Sequence, residues 1–316
     1  SATFTDVVPC VFTESNAGTA PVSCAPTCSD GIQNGDETGV DCGGSHCPPC
    51  AVPCADLGFT SNTITTSADA AWSVYAMDLD GDGDADVLSA SEVDDKIAWY
   101  ENDGSGNFGA QQVITTSADG AYSVYAMDLD GDGDADVLSA SRYDDKIAWY
   151  ENDGSGNFGA QQVITTSADG AWSVYAMDLD GDGDADVLSA SINDDKIAWY
   201  ENDGSGNFGA QQVITTSADG ARSVYAMDLD GDGDADVLSA SSSSSLNDDN
   251  KIAWYENDGS GNFGAQQVIT TSADGAYSVY AMDLDGDGDA DVLSASSWDD
   301  KIAWYENDGS GNFGAQ

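Results

Sequence analysis

The chain has almost no positive charge. Seven lysines and arginines stand against 58 aspartates and glutamates in 316 residues, a formal net charge of −51. Nucleic acids and anionic membranes are bound through basic patches, so this composition excludes both as partners. Histidine occurs once, as His46, and no serine or cysteine nucleophile has a recognisable base. The chain is therefore expected not to be an enzyme. No apolar run approaches the roughly 18 residues of a membrane span, and no membrane insertion is expected. No stretch has the form of a signal peptide and the first residue is Ser1, which reads as a processed, secreted chain. Beyond residue 56 there is neither cysteine nor proline, and Asn-x-Ser/Thr sequons are absent throughout.

The cysteines are crowded into one end. Cys10, Cys24, Cys28, Cys42, Cys47, Cys50 and Cys54 share residues 1–56 with all six prolines. A stretch this short cannot build its own core, and disulfide staples in an oxidising, extracellular setting are the expected solution. The alternative is a zinc site, because His46 adjoins the C-x-x-C pair Cys47 and Cys50. Seven is odd, so one thiol is free, paired to another chain or paired to a cysteine elsewhere. The segment from Cys28 to Gly44 resembles short cysteine-rich modules of secreted microbial proteins. Ahead of it, Ser1 to Val8 is either a frayed terminus or an extended arm that docks on a neighbouring subunit.

What fills the rest of the chain is repetition. The nonapeptide Asp-Leu-Asp-Gly-Asp-Gly-Asp-Ala-Asp occurs five times at spacings of 50, 50, 50 and 55 residues. Its aspartates are Asp78, Asp80, Asp82, Asp84 and Asp86, then Asp128, Asp130, Asp132, Asp134 and Asp136. The third and fourth copies carry Asp178, Asp180, Asp182, Asp184 and Asp186, and Asp228, Asp230, Asp232, Asp234 and Asp236. The last copy carries Asp283, Asp285, Asp287, Asp289 and Asp291. Like charges near 5 Å repel by roughly 3 kcal/mol at an effective dielectric of about 20, so such a loop needs a cation. Oxygen-only donors on a crowded, flexible loop select calcium over strictly octahedral magnesium, about one ion per repeat. An EF-hand-like loop shares Asp at positions 1, 3 and 5 and Gly at 6 but needs a bidentate carboxylate at 12, where Ser89 stands. The expected ligands in the first copy are the side chains of Asp78, Asp80, Asp82 and Asp86 with the carbonyl of Asp84.

With its downstream Asn102-Asp103-Gly104-Ser105-Gly106-Asn107-Phe108-Gly109, the unit from Val74 to Gly109 resembles the FG-GAP and VCBS repeats of integrin α-chains and many secreted proteins. The resemblance covers about residues 57–316. It implies an all-β fold, a β-propeller in which each repeat is one four-stranded blade with calcium between its first two strands. Five repeats stand where integrin propellers have seven blades. In the first copy the strands are expected at about Ser73–Met77, Val87–Ser91, Lys96–Glu101 and Phe108–Thr115, with Trp99 in the core. A nonapeptide β-helix is excluded by the period of 50. The domains are then 1–56, a disulfide-rich extension, and 57–316, the propeller. The last copy stops before its fourth strand, and Asn62 to Thr66 matches that strand; pairing of the two is expected to close a five-bladed ring.

The copies differ in two places. One holds Trp72, Tyr122, Trp172, Arg222 and Tyr277; the other holds Glu92-Val93, Arg142-Tyr143, Ile192-Asn193, the insertion Ser242–Asn247 and Ser297-Trp298. Both are expected in loops or strand ends along the ring's rim, as interface anchors or as products of neutral drift. The functional expectation is an extracellular structural or adhesive subunit of a cell-surface or filamentous assembly that self-associates as a homo-oligomer or filament and contacts glycans or other surface proteins. The alternative is a multivalent carbohydrate-binding protein with stacking aromatics in each repeat.

Overall fold

The computed structural model describes residues 61–242 and 250–314, so the cysteine-rich segment, with its disulfide or zinc chemistry, and most of the insertion lie outside the described residues. Each repeat folds into one antiparallel sheet whose spatial order follows the chain. In the first blade the strands are Ala71–Met77, Asp86–Ser91, Lys96–Tyr100 and Gln112–Thr115. Four blades have four strands; the fifth has three, Ala276–Met282, Asp291–Ser296 and Lys301–Tyr305. The fold is all-β, and the described residues contain no helix. The fourth strand begins later than the sequence suggests. Phe108 instead bridges back to Asn102, and Gly109 N–H donates to the Glu101 carbonyl, closing a turn before the strand begins.

Five small sheets cannot each bury a core alone, so the core lies between them. Alternation along a strand sends neighbouring residues to opposite faces. Accordingly Val137 packs against the first blade while Leu138 and Ala140 pack against the third. In the first such joint Leu79, Leu88, Ala90, Ile97 and Trp99 meet Ala121, Val124, Ala126, Val137 and Tyr150 of the second blade. Trp99 is 3 % exposed and its ring meets Phe158 edge-on at 6.4 Å. The approach is close enough that a Cβ on Gly156 would fall 2.4 Å from the indole. Polar ties reinforce each joint. Val124 N–H donates to Ser73 Oγ between the inner strands, and the buried Asn152 Nδ2 donates to the carbonyls of Leu79, in the preceding blade, and Ala135, in its own.

The joint recurs four times, and no fifth one joins the ends among the described residues. The expected ring closure by Asn62 to Thr66 is not made: the described residues of this stretch carry no strand, and the last sheet has three. Lys96 Nζ binds the Ser67 carbonyl in the way Lys146 Nζ binds Ser117, a contact that elsewhere accompanies a paired fourth strand, so nothing in the described contacts explains why Asn62 to Thr66 is unpaired. Among the described residues both end faces stay open, with Val74 71 % and Ile302 76 % exposed. On the fifth blade Leu284, Leu293, Ile302 and Trp304 line a cavity of about 370 Å³.

Equivalent tryptophans therefore have unequal duties. Trp199→Ala, at an internal joint, is expected to cost about 3–5 kcal/mol of unfolding free energy, and Trp304→Ala, 44 % exposed, under about 1 kcal/mol. Urea unfolding of the two variants at high dilution checks this; equal losses would mean that the fifth blade's outer face is covered in solution.

Candidate metal centres and the axial cluster

The aspartate loops join the first two strands of each blade. Met77 pairs with Asp86 at that end of the sheet and Ala71 with Ser91 at the other, so all five loops share one pole of the propeller. The loop's shape is set by its own carboxylates. Asp78 accepts from Gly81 N–H at 2.8 Å and from Gly83 N–H at 3.0 Å; Asp80 accepts from Asp82 N–H and Asp82 from Asp84 N–H. Gly81 and Gly83 sit at φ of 77° and 93°, which residues with a Cβ resist. Asp86 is buried at the base, accepting from Leu79 N–H at 3.0 Å and Asn102 N–H at 2.8 Å.

Three carboxylates converge in each loop, their oxygens within 4.8 Å of one another. They are Asp78, Asp80 and Asp86 and the matching residues of the second, third and fifth blades; in the fourth blade they are Asp228, Asp230 and Asp232. Asp82 stands outside the tight group in the first loop, and the Asp84 carboxylate leans against the backbone at Gly104. Hard anionic oxygens at this separation fit a divalent cation of the calcium type. Sequence order could not reveal that Asp86 is buried and doubly bonded to the backbone, nor that Asn152 ties one blade's loop to the next.

The same burial acts on the protons. It pushes the carboxyls of Asp136, Asp186 and Asp236 up to about 7, against the lowering pull of their backbone donors and with a smaller push from neighbouring aspartates. Burial likewise raises Asp130, Asp180 and Asp230.

The opposite pole is built differently. A β-bulge interrupts the inner strand at residue 72 in the first blade and at the equivalent position of every other blade. Bulges re-aim a side chain, and here the variable residues meet at the propeller axis instead of lining the rim. Trp72 stacks on Tyr122 at 4.7 Å between centroids, Tyr122 meets Trp172 at 4.5 Å, and Tyr277 lies 5.8 Å from Trp172 and 6.5 Å from Trp72. The aromatics expected as separate stacking surfaces in each repeat form a single cluster. Between the poles Tyr75, Tyr125, Tyr175, Tyr225 and Tyr280 line the axis at successive centroid distances of 4.6 to 4.7 Å.

These features define a repeat protein of β-propeller architecture with a cation-competent acidic loop in each blade. The chain belongs to the FG-GAP-like repeat family, which matches residues 78–139, 128–189, 181–239, 242–294 and 283–316. No curated protein matches it significantly. Among solved structures it is similar to a lectin from Agrocybe aegerita that recognises non-reducing terminal N-acetylglucosamine. There the identity is 22 %, the TM-score 0.54, and the similarity covers 77 % of this chain and 64 % of that one. It is also similar to the Vibrio cholerae biofilm matrix protein Bap1, at 20 % identity and a TM-score of 0.47 over 80 % of this chain and 40 % of that one. The chain thus spans less than two thirds of the length of either. No helix among the described residues is long and apolar enough to cross a membrane.

A carboxyl raised in the folded state binds a proton there that the unfolded chain has already released, so folding loses stability as pH rises from about 4 toward about 7. In EDTA, thermal melts are expected to fall between about pH 5 and about pH 8; excess calcium should flatten or reverse the trend, because a bound cation favours the charged carboxylate. A melting temperature that rises with pH in EDTA would show that these carboxyls are not raised.

Proposed function

We propose that this chain is a non-enzymatic, extracellular structural or adhesive building block, held rigid by calcium in its five aspartate loops and assembling through its open end faces. The observation that carries the reading is the pair of unpartnered faces at the ends of the array. The chain makes the same joint four times internally, and the outer face of the fifth blade presents one half of it while the first blade presents the other. A second copy offers the matching half. Contacts of this head-to-tail kind build rings or open filaments, depending on whether the rotation closes. Family membership and the lectin-like fold are compatible with an extracellular setting.

Calcium acts here as a structural ion. It would rest on Asp78, Asp80 and Asp86 and their counterparts, offsetting the repulsion that each loop otherwise stores. Free calcium at about 100 times Kd stabilises by about 2.7 kcal/mol per site that the unfolded chain lacks. Chelation is therefore expected to lower the melting temperature by well over 10 °C, and magnesium to restore less than calcium does. An unchanged melt in EDTA would remove the metal from the reading.

Size-exclusion chromatography with light scattering tests the assembly. Higher-order species are expected in calcium, with Ile302→Glu returning the protein to monomers while leaving its melt intact. Dilute and concentrated samples that are monomeric with and without calcium would overturn it.

A further inference from the structure

The axial cluster at the pole away from the aspartate loops contains the chain's two arginines, Arg142 and Arg222. The other five basic residues are lysines, and each binds a seryl carbonyl just before the first strand of its own blade. The arginines lie instead among the aromatic rings, with Arg142 near enough to Glu92 to help the Tyr143 hydroxyl hold that carboxyl below its ordinary range. Arg142 lies 4.9 Å and Arg222 5.5 Å from the Trp172 ring centroid; Arg222 also covers Tyr277 at 4.8 Å, and Arg142 Nη1 donates to the Tyr122 hydroxyl. Among the described residues neither makes an ion pair, although 58 acidic side chains are present in the chain. Arg222 Nε is buried without a hydrogen-bond partner.

Two guanidiniums set around one indole, one with a buried donor unsatisfied, make a poor plug. Apolar residues of the same volume would close the axis without desolvating charge. The arrangement does suit an anionic ligand, since a guanidinium presents a planar fork of donors that matches a carboxylate. The rest of this pole supplies what a sugar ring needs. Trp72 and Tyr143 are exposed, and Glu92 holds both in place, accepting from Trp72 Nε1 at 2.6 Å and from the Tyr143 hydroxyl. Its carboxylate is also an acceptor for sugar hydroxyls. A chain of this net charge repels long polyanions at a distance, which favours a single acidic residue or a chain end.

We propose that this pole binds one acidic sugar per chain, its carboxylate on Arg142 and Arg222 and its ring against Trp72 and Tyr143. The site is composite: the first, second and fourth blades contribute different residues to one place, at positions where the repeats differ. It stands independently of the assembly, whose contacts lie on the end faces.

Isothermal titration calorimetry of the full chain in calcium, with methyl glucuronide and methyl glucoside as ligands, tests it. The glucuronide is expected to bind with a stoichiometry near one and at least about tenfold tighter than the neutral glucoside. Arg222→Lys, which keeps the charge but loses the fork, should weaken the glucuronide about tenfold and leave the glucoside unchanged. Trp72→Ala should weaken both, and saturation-transfer NMR should place ring protons of the glucuronide against protein aromatics. Ile302→Glu, at an end face, should bind as the parent does, which separates this result from any failure of assembly. Glucuronide binding no tighter than glucoside, or undiminished in Arg222→Lys, overturns the proposal; the comparison of the two ligands on the unaltered chain decides it even if a variant fails to fold.

Discussion

Everything in this structure depends on one sheet lying against the next. Strands of four to seven residues in sheets of three or four cannot bury a face by themselves, and each blade gains its core only as half of a joint. The joint is both greasy and polar. Trp99 under the Gly156 turn supplies contact area, while Asn152 ties its own buried Asp136 to the loop of the preceding blade. Through that asparagine the acidic loops are linked to one another as well as to their own strands. Calcium in one loop would therefore stiffen the base on which the next blade rests.

The two poles divide the chemistry. Strands run between them, so the residues at one end of the inner strand belong to the aspartate loops and those at the other end to the axial cluster. Acidic oxygens concentrate at the first pole, where a divalent ion can neutralise them. The second pole holds aromatic rings and the chain's two arginines at its axis, facing solvent through Trp72 and Tyr143, with the ion pairs of Asp94, Asp144, Asp194 and Asp299 with lysines in the turns at the same ends of the sheets.

Much of this was legible in the sequence. The 50-residue period, the strand pattern and the burial of Trp99 followed from spacing and residue type, and the spacing of the loop's aspartates pointed to the convergent carboxylates that could hold a cation. Three things were not. The fourth strand starts late because Phe108 is drawn into a turn by Asn102, a contact that propensity does not encode. The variable residues converge on the axis because a bulge at position 72 turns them inward, and a repeat pattern says nothing about radial direction. Ring closure is absent among the described residues, where Asn62 to Thr66 carries no strand and the last sheet keeps three, and the strand pattern that Asn62 to Thr66 shares with Gln112 to Thr116 gives no sign of that.

The near-identity of the blades sets a problem for folding itself. Any blade's leading face matches any other's trailing face, so a collapsing chain can also pair the first blade with the third or fifth. The joints carry no information about order. Short connections favour the adjacent partner, and several of the residues that distinguish one blade from another meet at the axis, where Arg222 completes the set formed by Trp172 and Tyr277. At the axis, then, an array with its blades in another order would place Arg222 beside a different pair of rings.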